Sequence, residues 1–120
     1  MEIEKLIGKT LLSVTNNGDE IIFVTDDNEQ YKMFHSQECC ESVYVEDVIG
    51  DLNDLLNTPI LKASEDTNCD TNPDGVIKGH QDSFTWTFYN LATINGHVTI
   101  RWYGESNGYY SERVDFEKIN

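Results

Sequence analysis

The sequence predicts a single α+β domain, in which an antiparallel sheet of about six strands is built from hairpins and carries one amphipathic helix on a face. Short apolar segments separated by Asn-Gly and Asp-Asn turn signals are typical of β-hairpins. One central segment instead spaces its apolar residues as a helix face does. At 120 residues the chain has room for one domain, spanning residues 1–120.

The first hairpin is predicted over residues 11–25, because Asn17-Gly18 separates the apolar segments LLSV and IIFV. Both turn residues tolerate the positive φ angles that a two-residue type I′ turn requires. A third strand is expected over residues 30–35, where side chains alternate along the segment YKMFH. A single helical turn at residues 2–7 is expected ahead of these strands.

The helix is predicted over about residues 45–56, and Pro59 rules out its continuation. Its apolar residues lie three or four positions apart, so that a helix would place them on one face: Val45, Val48, Ile49, Leu52, Leu55 and Leu56. Acidic residues would occupy the opposite side: Glu46, Asp47, Asp51 and Asp54.

The remaining chain predicts a strand at residues 59–64, a long loop at 65–82 and a second hairpin. Loops of that length in compact domains are usually functional or disordered. The segments SFTWTFYNLAT and HVTIRWYG flank Asn95-Gly96, which predicts the turn of the second hairpin, and SERVDFEKI then closes the sheet. Six apolar side chains are expected to share one face of this hairpin: Phe84, Trp86, Phe88, Val98, Ile100 and Trp102.

The charge balance argues against two classes of partner. Eight Lys and Arg stand against 22 Asp and Glu, a formal net charge of -14, which repels nucleic-acid backbones and anionic lipid. We therefore expect no direct nucleic-acid partner and no membrane partner. Residues 38–82 alone hold eleven acids and two lysines. This excess either serves solubility alone or forms an acidic surface for a basic partner.

The compartment predicted from the sequence is the cytoplasm. No apolar segment approaches the roughly 20 residues of a membrane span, and the start MEIEKLIGKT lacks the basic and apolar regions of a signal peptide. The three cysteines, with Cys39 and Cys40 adjacent, make a poor disulfide framework. In a reducing compartment we expect them to stay thiols.

Residues 104–108 fit G-x-S-x-G, the nucleophile elbow of serine hydrolases, with Ser106 at its centre. That elbow requires a strand, a sharp turn and a helix, followed along the chain by the acid and the histidine. Here another β-like segment follows the turn, and all three histidines precede the serine. The sequence therefore assigns Ser106 to a strand-to-strand turn, and we predict no catalytic residue.

Two sets of residues invite a metal assignment, and neither has the spacing of a metal site. The zinc-type ligands contain no C-x-x-C pair: His35, Cys39, Cys40, Cys69 and His80. The acids Asp66, Asp70 and Asp74 precede Gly75, but they lack the alternate ligands and the twelfth-position glutamate of a calcium loop. We therefore predict no metal and no cofactor.

The strongest signal for recognition lies around the turn RWYGESNGYYSE. Exposed tyrosine beside arginine is typical of binding surfaces, although packing at a sheet edge explains the same pattern. The candidate partner-binding residues combine this turn with the acids of the predicted helix and loop: Glu46, Asp47, Asp51, Asp54, Asp66, Asp70, Asp74, Arg101, Tyr103, Glu105, Tyr109 and Tyr110.

The segments CCESVYVEDVIGDLNDLL and FTWTFYNLATINGHVTIRWYGESNGYYSE resemble small acidic proteins encoded by bacteriophages and by bacteria that carry prophages. The resemblance covers most of the chain and supplies no reaction and no catalytic residues. It implies an accessory phage protein that acts in the cytoplasm of an infected or lysogenic host. Many small acidic members of that class look like antagonists of host defence.

Two functional hypotheses follow. In the first, the protein is a non-catalytic inhibitor whose carboxylates occupy the basic groove of a host defence protein, such as a CRISPR effector or a restriction nuclease. In the second, it sequesters a nucleotide signal, with Arg101 on phosphate and tyrosines stacked on bases. Convergence of Arg101 and Arg113 in a pocket favours the ligand, and pairing of each with surface carboxylates favours the protein partner. Both hypotheses leave open whether the protein forms a homodimer.

Overall fold

A computed structural model describes residues 3–68, 72–73 and 83–120 of the chain. In these residues eight strands form two antiparallel sheets of four. The strands are β1 (Leu11–Asn16), β2 (Glu20–Thr25), β3 (Gln30–Phe34), β4 (Ser42–Ile49), β5 (Lys62–Asn68), β6 (Ser83–Thr93), β7 (Gly96–Ser106) and β8 (Asp115–Lys118). Two short 3-10 turns, Ile3–Leu6 and Leu52–Leu55, are the helical elements of the described chain.

The predicted α+β class is therefore wrong, because the described residues contain no α-helix. The segment expected as a helix is divided between β4 and the second 3-10 turn. A β-bulge at Glu46 explains the misleading pattern: it shifts the strand by one residue, so that Val45 and Val48 pair with Trp102 and Ile100 on one face although they lie three positions apart. Gly50, at φ +109°, then breaks the segment.

The first sheet has the order β1-β2-β3-β8. Its predicted hairpin is confirmed, but the two turn residues are Gly18 and Asp19, because the Asn17 N–H donates to the Glu20 carbonyl at 2.9 Å. Gly18, at φ +90°, is the one residue of this turn with a positive φ, so the turn is not the predicted type I′. The third strand is also confirmed as β3. The last strand, β8, is shorter than expected and pairs with β3, placing Met33 opposite Phe116.

The second sheet has the order β4-β7-β6-β5. The predicted hairpin is confirmed, with Thr93 paired to Gly96 across the residues Ile94 and Asn95. Neither Asn95 nor Gly96 adopts a positive φ, so this turn does not use the left-handed conformation that Asn-Gly permits. Gly96 has a packing reason instead, since an added Cβ would lie 2.8 Å from the Asp54 carboxylate.

The core lies between the two sheets. The indole Nε1–H of Trp102, on β7, donates to the sulfur of Met33, on β3, at 3.1 Å, which joins the sheets at a fully buried point. The 3-10 turns contribute Leu6 and Leu55 to the same cluster. Both sheets supply the other members that are 0% exposed: Leu11, Ile21, Phe23, Tyr89, Leu91, Val98 and Ile100.

The predicted shared face of the second hairpin is wrong. In the β6–β7 register Trp102 lies opposite Thr87, whereas Trp86 lies opposite Tyr103 and Phe88 opposite Arg101. Paired residues of an antiparallel sheet share a face, so Trp86 and Phe88 point away from the core. The physical reason is that β6 carries large apolar side chains on both of its faces.

Candidate functional site

The face of the second sheet that points away from the core carries the first candidate site, and we call it the outer face. Cross-strand pairing places Asp66, Phe88, Arg101 and Asp47 in one row across the four strands. The adjacent row contains Asn68, Trp86, Tyr103 and Tyr44, and Glu105 follows opposite Phe84.

Arg101 is held by carboxylates of the neighbouring edge strand. Its Nε and Nη2 donate to the Glu46 Oε1 at 3.0 and 2.6 Å, and the Asp47 carboxylate lies 3.8 Å from Nη2. The β-bulge at Glu46 brings two successive acids toward one guanidinium. The same guanidinium lies 5.3 Å from the ring centroid of Trp86. Arg101 is therefore engaged by the protein's own groups, with only 15% of its side chain exposed.

Tyr103 is part of a closed aromatic cluster. It is 1% exposed and lies between Trp86, whose ring centroid is 4.6 Å away, and Tyr44, at 5.9 Å. Its hydroxyl donates to Glu105 at 2.9 Å, and the Trp86 indole N–H donates to Asn72 at 3.0 Å. The packing interpretation therefore holds for Tyr103. As a partner-binding residue it can act only by supporting the outer face.

The two remaining tyrosines of the candidate set lie apart from Tyr103. Tyr109 is 89% exposed in the loop after β7. Tyr110 is half-buried and lines a cavity on the core-facing side of the second sheet. The structure therefore does not bring Tyr103, Tyr109 and Tyr110 together on one recognition surface.

The predicted acidic helix face does not exist, because its residues belong to different elements. Asp51 caps the second 3-10 turn, accepting a hydrogen bond from the Asn53 N–H at 2.9 Å. Asp54 packs against Gly96 near the β6–β7 turn. Asp66 is exposed on β5, and the candidate residues Asp70 and Asp74 lie outside the described residues.

Sequence reasoning missed a buried carboxylate, Glu41, whose side chain is 0% exposed. It accepts hydrogen bonds from the N–H groups of Cys39 and Glu38, at 2.9 and 3.0 Å, and from the His35 Nε2 at 2.8 Å. Burial alone raises the pKa of Glu41, but these hydrogen bonds outweigh it and hold the pKa at about 2. No periodic sequence pattern predicts such a residue, because most of its partners are backbone groups of its own loop.

His35 connects this loop to the segment before β8. Its Nδ1 lies 2.7 Å from the Arg113 carbonyl oxygen, while its Nε2 faces the Glu41 carboxylate. The carbonyl and the carboxylate oxygen are both acceptors, so a ring nitrogen that carries a proton can donate to either of them. The geometry thereby ties residues 35–41 to the segment at Arg113.

The expectation that the cysteines stay thiols is wrong for one pair. Cys39 and Cys40 are joined by a disulfide in the loop that wraps Glu41. The Cys39 N–H donates to Glu41 at 2.9 Å, which helps fix the backbone of this loop. The disulfide removes both cysteines from the zinc-type set. Of the other members of that set, His35 contacts Glu41, and Cys69 and His80 fall outside the described residues.

The second candidate site is a cavity of about 330 Å³ between the core-facing side of β5 and β6 and the segment that precedes β8. Hydroxyl-bearing and charged side chains form most of its wall: Glu65, Thr67, Ser83, Thr85, Thr87, Tyr110, Ser111, Glu112 and Arg113. Glu112 accepts from Thr85 at 2.8 Å and from Ser106 at 2.6 Å. Ser106 is thus bonded to a carboxylate, in agreement with a structural role at the end of β7.

Residues 3–68, 72–73 and 83–120 contain no group of three or more His, Cys, Asp or Glu side chains arranged to hold a metal ion. Within the same part of the chain, no helix combines the length and the apolar character needed to cross a membrane.

Fold and site together define a two-sheet antiparallel β protein with an acidic surface. The chain matches, over residues 4–116, the model of the family described as "Domain of unknown function (DUF7448)". It therefore belongs to that family. No curated protein and no solved structure gives a significant match to the chain.

Proposed function

We propose that the protein is a non-catalytic inhibitor that binds a nucleic-acid-handling host defence protein, covering a basic groove with an acidic surface. The net charge of -14 supports long-range attraction to a basic partner. The observation that carries the proposal is the pairing of Arg101 with Glu46 and Asp47, because it leaves the outer face without a free arginine for an anionic ligand.

The two arginines argue against the sequestering of a nucleotide. Arg101 lies on the outer face, whereas Arg113 lines the cavity on the opposite side and pairs with Asp115 at 2.9 Å. Phosphate recognition uses converging cationic donors, and these two guanidiniums do not converge. Each is instead paired with carboxylates, which is the arrangement that favours a protein partner.

The binding surface we propose is the acidic part of the outer face. Asp47 and Asp66 lie at opposite ends of the Arg101 row and are exposed. Glu105 lies four residues beyond Arg101 along β7 and is half-buried. Glu46 is engaged in the ion pair with Arg101, and only 18% of its side chain is exposed. The exposed carboxylates therefore provide steering, which raises the association rate more than the final affinity.

The proposal is tested on a partner captured from a bacterial lysate and then purified. The double variant Asp47→Lys, Asp66→Lys should slow association about tenfold or more at low salt, since steering depends on charge near the contact. The matched control Asp19→Lys, Asp26→Lys makes the same change of net charge at exposed positions of the first sheet. Its effect on association should be smaller.

Two further measurements decide the mechanism. Raising salt from about 0.05 to 0.5 M shortens the Debye length to a few ångströms and should abolish the difference between the two double variants. Duplex DNA should compete with the protein for the partner, because both occupy the phosphate groove. Simultaneous binding of DNA and the protein, or equal rates for both double variants, contradicts the proposal.

A further inference from the structure

The cavity of about 330 Å³ lies where the apolar core ends along β6. Alternate residues of a strand share one face, and in the second half of β6 the core-facing position Leu91 is apolar and fully buried. Toward the start of the strand the same face carries only small hydroxyl side chains, at Thr87, Thr85 and Ser83, and all three line the cavity. A core face that changes from apolar to hydroxyl side chains encloses a polar space.

Thr87 supplies a buried hydroxyl to this wall. The residue is 3% exposed, and it pairs across the sheet with the core residue Trp102, so its side chain lies on the core-facing side. Within residues 3–68, 72–73 and 83–120 the Thr87 hydroxyl makes no hydrogen bond, although Thr87 lines the cavity. A buried hydroxyl without a partner destabilises a fold unless a ligand or water completes it. The Thr87 hydroxyl therefore calls for a hydrogen-bonding group inside the cavity.

The opposite wall of the cavity is the segment after β7, where the Glu112 side chain is fixed. Its two carboxylate oxygens accept from Thr85 at 2.8 Å and from Ser106 at 2.6 Å, so each oxygen takes one hydroxyl. Gly104 permits this close approach, since an added Cβ would lie 3.0 Å from both the Cβ and the carbonyl oxygen of Glu112. Each carboxylate oxygen keeps a further lone pair, with which it can accept from a ligand.

Size restricts the occupant of this cavity to a small molecule. A volume of about 330 Å³ is far larger than the roughly 30 Å³ of one water molecule, and it lies at the small end of the range for ligand sites. An apolar molecule would leave the Thr87 hydroxyl without a partner, which is costly in a buried position. The ligand is therefore small and polar.

The charges of the wall argue against an anion. Arg113 is the one cation of the wall, and it is already paired with Asp115 at 2.9 Å, whereas Glu65 and Glu112 repel negative charge. Six side chains of the wall carry a hydroxyl and two carry a carboxylate, so the ligand has to both donate and accept hydrogen bonds. An ammonium only donates, whereas a neutral molecule with several hydroxyls does both.

We propose that this cavity binds a neutral sugar of monosaccharide size. One sugar hydroxyl completes the hydrogen bonding of Thr87, and a neighbouring hydroxyl donates to Glu112, which is held beside Thr87 through Thr85. The half-buried Tyr110 and the buried Val114 offer apolar surface to the C–H groups of the sugar ring. The cavity lies on the core-facing side of the second sheet, so the proposal is independent of the function proposed for the outer face.

The test is a titration of the isotope-labelled full chain with D-glucose, D-galactose, D-mannose and D-ribose, followed by amide chemical shifts in NMR. At least one of these sugars should bind with a Kd of about 10 mM or tighter and should shift the amides of Thr85, Thr87 and Glu112. Because the ligand is neutral, its Kd should be the same at about 0.05 and 0.5 M salt. The phosphorylated form of the same sugar should bind more weakly, since the carboxylates of the wall repel it.

Thr87→Val distinguishes a ligand-binding residue from a structural one. The variant removes the hydroxyl and should weaken sugar binding about fivefold or more, yet its thermal midpoint should not fall, because the hydroxyl has no partner in the free protein. Thr99→Val is the matched control on the outer face of β7. It should keep the sugar affinity and lower the thermal midpoint, because it breaks the hydrogen bond from Thr99 to Asn90 at 2.8 Å.

Three results would overturn the proposal. If none of the four sugars shifts the amides around the cavity, the cavity holds water alone. An equal Kd for Thr87→Val and the natural chain would place the sugar elsewhere on the protein. Binding of glucosamine without binding of any neutral sugar would assign the cavity to a cation.

Discussion

On its core-facing side the second sheet buries Ile100 and Trp102 against the first sheet, whereas on its outer face the neighbouring residues Arg101 and Tyr103 contact mainly side chains of the same sheet. These four side chains are nearly closed to solvent, but by different means. Apolar packing covers the inner pair, and an ion pair and an aromatic row cover the outer pair. Low exposure therefore does not by itself identify the core of this protein.

The largest expected effect is on the inner face. Trp102→Ala removes a fully buried ring and its contact with Met33, and we expect the free energy of unfolding to fall by about 3 to 5 kcal/mol. Urea denaturation measures it. Ile94→Ala is the control, because Ile94 is 76% exposed in the β6–β7 turn and should change little. A loss below about 1 kcal/mol for Trp102→Ala would remove the distinction between the faces.

An intermediate effect is expected from Arg101→Ala on the outer face. The variant loses charge-assisted hydrogen bonds to Glu46, which cost about 1.5 to 3 kcal/mol when broken. Arg113→Ala removes the other arginine, whose side chain is 79% exposed, and should be close to neutral. Equal denaturation midpoints for the two variants would show that the outer-face ion pair does not stabilise the sheet.

The smallest effect is expected from Tyr103→Phe, which keeps the aromatic row and removes one hydroxyl. Its hydrogen bond to Glu105 should contribute about 0.5 to 1.5 kcal/mol. Tyr109→Phe makes the same chemical change at an 89% exposed position and should leave the thermal midpoint unchanged. A Tyr103→Phe protein that melts at the natural temperature would assign the stability of the outer face to ring packing alone.

The sequence pattern was sufficient to predict a strand where one face of that strand is buried and the other is not. β2 and β3 alternate buried and half-buried residues without interruption, and the turn signal at Asn17-Gly18 fixes the hairpin. The first sheet was therefore predictable up to β3. Its last strand, β8, was expected from the sequence, but the pairing of β8 with β3 was not, because no local pattern places Phe116 beside Met33.

Prediction from the alternation of apolar residues fails for the second sheet, and there are two physical reasons. The bulge at Glu46 gives β4 a three-residue apolar spacing that imitates a helix, and β6 is apolar on both faces. Of the candidate site, Arg101, Glu46 and Asp47 were each named from the sequence, but their contact depends on the register of two strands far apart in sequence. No local sequence pattern predicted the cavity beside Glu65 and Arg113.

The pairing of β3 with β8 also affects when each sheet can form during synthesis. The second sheet is formed from a continuous stretch, residues 42–106, and its β6–β7 hairpin pairs neighbours in sequence. The first sheet begins earlier in the sequence and ends later, because Tyr31 and Phe23 receive their aromatic partner Phe116 only when β8 has left the ribosome. Until then β3 keeps an open edge, where a nascent chain is most exposed to wrong pairing and aggregation.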